Sequence, residues 1–429
     1  MRTYDTYKDS GISWLGQIPS HWDVKRARIV LAENASVNSD VSVTKQLQFK
    51  YGEIEPKANQ SVDDGVKETI SKYTVVDKGD IMINGLNLNY DFISQRVALV
   101  QEKGCITSAY VSLRPTKLAN SRYYTYYLKA MDNIKMFHGM GSGVRLTLSY
   151  KELKNMYIPI PPIEEQRVMA DYIDNATAEI DKAIASQQRM VELLQERKQI
   201  IINQAVTQGL NPDAPMKPTN IDWLPQIPAH WQLYRLGALG AFSKGSGIAR
   251  DDLQDEGLPA ILYGDIYTKY EISVRNLKNK ISEKTAQNAV KIQAGDILLT
   301  GSGETKEDIG KTILYEGNEA YAGGDVIIFR QQSQDGKFLS YLLNSFYSRR
   351  YKAATSKGEI VVHTYPYILK DLYLPIPPLV EQERIVQKLD KNCSEIEAAI
   401  TRCQQKIALL TERKQILIND VVTGKIKVV

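Results

Sequence analysis

Ile158-Pro159-Ile160-Pro161-Pro162-Ile163-Glu164-Glu165-Gln166 returns 216 residues later as Leu374-Pro375-Ile376-Pro377-Pro378-Leu379-Val380-Glu381-Gln382. The register then holds without a gap. Leu193-Leu194-Gln195-Glu196-Arg197-Lys198-Gln199-Ile200 matches Leu409-Leu410-Thr411-Glu412-Arg413-Lys414-Gln415-Ile416, and Val206-Thr207 matches Val422-Thr423. An internal repeat of this length fixes the architecture before any catalytic motif is considered.

Each copy reads as one long helix. Prolines gather at its start, where the first turn tolerates them, and none lies between Pro162 and Pro212 or after Pro378. Steps of three and four pick out Ile173, Thr177, Ile180, Ile184, Gln187, Val191, Leu194, Lys198, Ile201 and Ala205. In the second copy they pick out Leu389, Cys393, Ile396, Ile400, Cys403, Ile407, Leu410, Lys414, Leu417 and Val421. This is a seam of period 3.5 flanked by Glu, Lys, Arg and Gln, the pattern of a two-stranded coiled coil. Some forty residues at 1.5 Å rise give a helix roughly 60 Å long. One such helix alone would leave its stripe in water, and a chain with one domain ahead of each helix favours antiparallel pairing. Two amphipathic helices packed separately on their own domains are the alternative, but they would call for a wider apolar face.

The repeat extends beyond the helices. Trp14-Leu15-Gly16-Gln17-Ile18-Pro19-Ser20-His21-Trp22 reappears as Trp223-Leu224-Pro225-Gln226-Ile227-Pro228-Ala229-His230-Trp231. With no Cys or carboxylate at ligand spacing, this Pro-x-His-Trp turn reads as a packed corner and not as a metal site. Leu47-Gln48-Phe49-Lys50-Tyr51-Gly52-Glu53-Ile54 pairs with Ile261-Leu262-Tyr263-Gly264-Asp265-Ile266, and Lys78-Gly79-Asp80-Ile81-Met82-Ile83 with Ala294-Gly295-Asp296-Ile297-Leu298-Leu299; all four read as strands with turn residues. A helical piece follows late in each copy, at 122–128 and 337–343. The expected organisation is a domain at 1–157, a helix at 158–210, a second domain at 211–373 and a second helix at 374–429. The expected fold class is α+β, with two mixed α/β domains in pseudo-two-fold repeat, separated by two long helices forming an antiparallel coiled coil.

Composition sets bounds on function. The 429 residues are 43% hydrophobic and 24% charged, as in ordinary globular protein, and 54 Lys+Arg against 50 Asp+Glu give only +4. Any basic surface must therefore be local. No apolar run approaches a membrane span and Met1-Arg2-Thr3-Tyr4-Asp5 does not read as a signal peptide, so a cytoplasmic location is expected. Three cysteines, two of them on the second helical seam, read as reduced core residues.

Tyr7-Lys8-Asp9-Ser10-Gly11-Ile12-Ser13-Trp14-Leu15-Gly16, the duplicated Pro-Ile-Pro-Pro-(Ile/Leu)-x-Glu-Gln helix start and the Gly-Asp-Ile strands resemble the specificity subunit of type I restriction-modification systems. The resemblance covers nearly the whole chain in the family's order of recognition domain, helix, recognition domain, helix. It implies double-stranded DNA as ligand, each domain reading one half of a split target while the paired helices set the spacer. It also implies two modification subunits that methylate adenine, and restriction subunits that translocate and cleave. S-adenosylmethionine, ATP and Mg2+ would then sit on those partners, with no cofactor, metal or catalytic residue in this chain.

The residues agree with a non-catalytic chain. A DNA adenine methyltransferase needs an Asn/Asp-Pro-Pro-aromatic loop, and Asn211-Pro212-Asp213-Ala214 lacks the second proline and the aromatic. Gly310-Lys311-Thr312 ends like a phosphate-binding loop, but Thr305 stands where its first glycine is required. Asp296 with Glu304-Thr305-Lys306 resembles a metal-dependent nuclease, yet no Glu-x-Lys follows Asp80 in the first copy. A self-sufficient restriction enzyme is disfavoured on these grounds, and a coiled-coil scaffold that joins proteins without reading DNA is the competing class.

DNA contact would then come from loops, through Arg or Lys on guanine, Asn or Gln on adenine, and small polar groups on phosphates. The first candidates are Ser142, Arg145 and Thr147 in a glycine-rich loop, with Lys357, His363 and Thr364 in its counterpart. Both loops precede the Pro-rich helix start, and the resemblance places them on the DNA-facing side. Gln48, Lys50 and Tyr51 with Tyr263 and Lys269, then Asn84, Asn87 and Arg96 with Ser302 and Lys306, complete the candidate set.

Overall fold

The structure is a computed structural model that describes residues 3–58, 63–88, 95–141, 143 and 146–428. It forms two compact units, Met1–Gln188 with Gln404–Val429, and Arg189–Cys403. Each unit holds one α/β domain, the opening of the long helix that follows it, and the closing end of the other long helix.

In the first unit a four-stranded antiparallel sheet runs in the order Leu31–Glu33, Val111–Pro115, Ile81–Ile83, Val97–Leu99. The helix Ser121–Asn133 starts on Asn120, whose side chain accepts the Tyr123 N–H, and it sinks Tyr123, Tyr124 and Tyr127 into the core beside Ile18, Trp22 and Phe137. Tyr157–Ile160 pairs with Asp23–Arg26 and delivers the chain to the long helix Ile163–Gln208. Met169, Ala170 and Ile173 from that helix close the core together with Leu417, Ile418, Val421 and Val422 from the second long helix, Leu379–Val422.

The second unit has two five-stranded sheets. One runs Gly240–Lys244, Val326–Gln331, Asp296–Thr300, Thr312–Tyr315, Ser273–Val274; the other runs Leu253–Gln254, Asn279–Ile281, Leu258–Ile261, Ala320–Ala322, Val290–Ile292. Trp231, Phe329, Phe338 and Leu374 form its core with Ile202, Ala205 and Val206 of the first long helix and Ile385, Leu389 and Cys393 of the second. Cys105, Cys393 and Cys403 are all free thiols. No helix among the described residues is long and apolar enough to cross a membrane.

The helical seam follows the heptads. Every position named at three-four spacing from Ile173 to Ala205 and from Leu389 to Val421 is buried or half-buried. In the first unit Asp181 meets Lys414 at 2.7 Å, and in the second Lys198 meets Glu397. Rising numbers on one helix face falling numbers on the other, which is the antiparallel sense.

The duplicated Glu-Gln has a structural task in each unit. Gln166 accepts the Asn120 N–H and donates to the carbonyls of Leu118 and Pro161. Gln382 accepts the Asp335 N–H and donates to Pro377 O and Gln334 Oε1. Both side chains are buried, so each ties the start of a long helix to the start of its domain's own helix. The glutamates one residue earlier hold the histidines of the Pro-x-His-Trp corners, His21 to Glu165 at 2.9 Å and His230 to Glu381 at 2.8 Å.

The stretch 261–266 is not the strand that its match to 47–54 predicts. Leu47–Lys50 and Glu53–Pro56 form a hairpin whose turn puts Tyr51 and Gly52 at φ 49° and 78°. In the matching stretch of the second unit the strand stops at Ile261, and Tyr263–Thr268 is a helix. The Asp265 carboxylate accepts the Leu262 N–H at 2.9 Å and caps that helix, a device Glu53 cannot supply from within a strand.

Candidate nucleic-acid interface

An Asp–Arg ion pair with a buried carboxylate recurs in both units. Asp80 is 2% exposed and takes Arg114 in a two-bond fork, Nε to Oδ1 at 2.9 Å and Nη2 to Oδ2 at 2.8 Å. Asp296 is 1% exposed and takes Arg330 at 2.7 Å on both oxygens. Asp80 and Asp296 are 216 residues apart, as are Arg114 and Arg330. The paired carboxylate raises each guanidinium's pKa, chiefly through the hydrogen bonds. Gly79 and Gly295, at φ 99° and 92°, turn the chain into the strand each Asp begins or precedes. Asp296 is thus committed to a structural fork, and it is not available as a metal ligand.

The other catalytic look-alike is also absorbed by the fold. Lys311 Nζ donates to Tyr267 O at 3.1 Å, with burial holding its pKa down, and Thr312 Oγ1 turns back to Gly310 O. Among the described residues no group of three His, Cys, Asp or Glu could hold a metal ion.

In the first unit Gln48 is half-buried on its strand, Lys50 is exposed, and Tyr51 stands 79% exposed at the turn with Lys50 Nζ 5.9 Å from its ring centre. Arg96 is buried. It donates to the carbonyls of Asn84 at 2.8 Å, Leu86 at 2.7 Å and Asn87 at 3.3 Å, so it shapes the 84–87 loop instead of projecting from it. That loop meets the segment around Thr147, since Leu88 N–H reaches Leu146 O and Leu148 N–H reaches Gly85 O. Asn87, exposed at φ 51°, and Thr147, half-buried, therefore share one surface, with Asn84 half-buried between. Ser142 and Arg145 lie outside the described residues.

In the second unit the strand pair Ser302–Gly303 and Val362–His363 brings residues 61 apart together. Ser302 Oγ lies 2.8 Å from His363 Nδ1, Lys357 pairs with His363 across a hairpin, and Thr364 N–H bonds Gly301 O. Ser302 and Thr364 are buried, so Lys357 and His363 are the members of this group that face out; Lys306 follows Ser302 on the exposed stretch 304–308. Tyr263 and Lys269 sit elsewhere, lining a cleft of about 700 Å3 with Arg250, Asp265, Asn279 and Asp325. Lys269 is held there by Asp265 at 2.7 Å and Asn279 at 3.0 Å. The cleft and the hairpin adjoin, because the Gly301 N–H that follows the sheet strand bonds Asp325 O at 2.7 Å.

Arg250 and Asn279 in the cleft, and Tyr365 and Tyr367 beyond His363, were not foreseen from the sequence. The tyrosines carried a local signal, aromatics at alternate positions after a glycine loop. Arg250 and Asn279 carried none, because only sheet pairing brings them to the cleft.

The family model for the type I restriction modification DNA specificity domain matches residues 23–188 and 228–405. The MjaVIII specificity subunit of Methanocaldococcus jannaschii is 24% identical over 429 residues, covering 96% of this chain and 94% of that protein. The StySPI specificity subunit of Salmonella potsdam is 23% identical over 313 residues, 70% of this chain and 65% of that one. A solved structure described as the basis of complex assembly and conformational transition of the type I R-M system superposes with a TM-score of 0.72 at 15% identity, covering 95% and 99% of the two chains. The HsdS subunit from Thermoanaerobacter tengcongensis has the same fold at a TM-score of 0.52 and 17% identity over 99% and 100%. The matched segments follow the internal repeat, one in each half, and the chain belongs to the type I restriction-modification DNA specificity family.

Proposed function

We propose that this chain selects the DNA target of a type I restriction-modification complex, each recognition domain reading one half of a split sequence. The observation that carries the reading is a contrast within the molecule. The scaffold is duplicated down to single side chains, in the Asp80–Arg114 and Asp296–Arg330 forks and the Gln166 and Gln382 anchors. The surfaces hung on it are not: Asn87 and Thr147 occupy one, and Lys357, His363 and the Arg250–Tyr263 cleft occupy the other. Two equivalent frames with unlike polar faces suit two half-sites of unlike sequence.

Catalysis is assigned to partners. The internal contacts of Asp296, Lys311 and Thr312 support a chain that positions others: two modification subunits, which bring S-adenosylmethionine and methylate adenine, and restriction subunits, which bring ATP and Mg2+ chemistry. The long helices set the spacer between half-sites and dock the modification subunits. The target adenine is extruded into a modification subunit's pocket and not into this chain. The location is the cytoplasm, where that DNA is.

Selection of bound duplexes from a random pool by the assembled complex, repeated at rising salt, tests the reading. A split consensus whose affinity falls steeply with salt is the expected result. A complex that assembles but retains no DNA would favour a protein-joining scaffold.

A further inference from the structure

We propose that the hairpin 357–363 of the second unit is a wedge that enters the DNA base stack, with Ile360 leading and a ladder of rings behind it. The proposal rests on the DNA reading above and gives a task to residues that reading leaves idle.

Ile360 is 91% exposed and Val361 beside it 50% exposed. Single surface apolar residues are common, but these two sit together at a tip whose stem is fixed. Lys357 and His363 exchange both backbone hydrogen bonds, at 2.9 and 2.7 Å. Val362, next to the tip, is 2% exposed, and its strand pairs with Ser302–Gly303. The turn needs its glycine: Gly358 has φ +101°, and a Cβ there would stand 2.1 Å from Val361 O. The sequence therefore spends a specific turn on presenting β-branched apolar groups to water, where they add nothing to the core.

The ladder begins at the base of the stem. His363 and Tyr365 stack at 6.2 Å and 28°, Tyr365 and Tyr367 at 5.5 Å and 14°, and Lys357 Nζ lies 5.4 Å from the Tyr367 ring. Tyr365 and Tyr367 are 36% and 57% exposed. The scaffold does not require these rings, because the residues 216 earlier are Thr147, Ser149 and Lys151. Exposed parallel rings offer faces on which any base can stack. An apolar tip ahead of them matches the side chains that pry base steps apart in bent complexes. Glu359 at the tip repels phosphates, so the tip suits the stack and not the backbone; the cation, Lys357, is held back at the stem.

The test uses the full complex with its modification subunits and duplexes carrying 2-aminopurine at each position in and beside the second domain's half-site, the methylated adenine excepted. The wild-type complex should brighten the probe severalfold at one step. Ile360→Ser should remove that signal and weaken binding about tenfold with an unchanged salt slope, whereas Ile360→Met should keep both. Sequence-selective binding with no brightened step, or a signal retained in Ile360→Ser, would overturn the wedge alone. Absence of sequence-selective binding by the wild type would overturn the DNA reading beneath it. The exposure of Ile360 means the substitution leaves the fold intact.

Discussion

Lys198 Nζ lies 2.5 Å from Glu397 Oε1, and the residues 216 positions away from them, Lys414 and Asp181, form the same pair at 2.7 Å. One repeated lysine thus meets one repeated acid in each unit, across helices of opposite direction. A double-mutant cycle on Lys198→Ala and Glu397→Ala should give a coupling of about 0.5 kcal/mol in chemical denaturation, since Glu397 is half exposed. The charge-reversed pair Lys198→Glu with Glu397→Lys should recover most of the loss either single reversal causes. Additive single effects would mean the two groups do not act on each other.

The Asp–Arg forks should be the more costly pairs to break. Arg330→Ala leaves the buried Asp296 carboxylate without its partner, a change that costs roughly 3–5 kcal/mol where both groups are buried. Arg330 is half exposed and lets water in, so the loss expected in urea denaturation is about 3 kcal/mol. Asp296→Asn with Arg330→Met should cost clearly less than Arg330→Ala alone.

Lys352 gives the second unit a pH signature. It is fully buried, with its ammonium donating to Gly310 O and Leu343 O and with no acid in contact among the described residues, and desolvation pushes its pKa down to about 7 from the ordinary 10.5. Above pH 7 the unfolded chain holds this proton more tightly than the folded one, so stability rises with pH toward 10. The difference in denaturation midpoint between the wild type and Lys352→Met should therefore shift in the wild type's favour from pH 7 to 8.5. A constant difference would mean the lysine titrates normally.

Seven residues inserted into each long helix at equivalent seam positions keep the heptad register and add about 10 Å, roughly three base pairs. Such a variant should recognise the same half-sites with a longer spacer, read by selection from a random pool. An unchanged spacer would sink the ruler role of the helices.

What could be read from the chain in advance was what repeats locally. The seam from Ile173 to Ala205 is a matter of spacing along one helix, and heptads state it directly. The Gly79-Asp80 and Gly295-Asp296 turns were visible too, but their partners Arg114 and Arg330 lie 34 residues on, across a sheet. In the sequence Arg96 reads as a DNA contact because it is a cation near Asn84 and Asn87; only the folded loop shows its guanidinium bound to their carbonyls. Tyr51-Gly52 and Tyr263-Gly264 share a dipeptide yet differ in structure, because the neighbouring acid caps a helix in one copy and joins a strand in the other. The candidate interface was legible as loops, and its assembly from Ser302 and His363 awaited the strand pairing.

On the proposed function this chain chooses where the complex methylates. Single-molecule methylation mapping of DNA from cells holding the modification subunit, with and without this chain, tests it most directly. A split adenine-methylated motif that appears only with the chain is the predicted result. Unchanged methylation, with the complex shown to assemble, would contradict it.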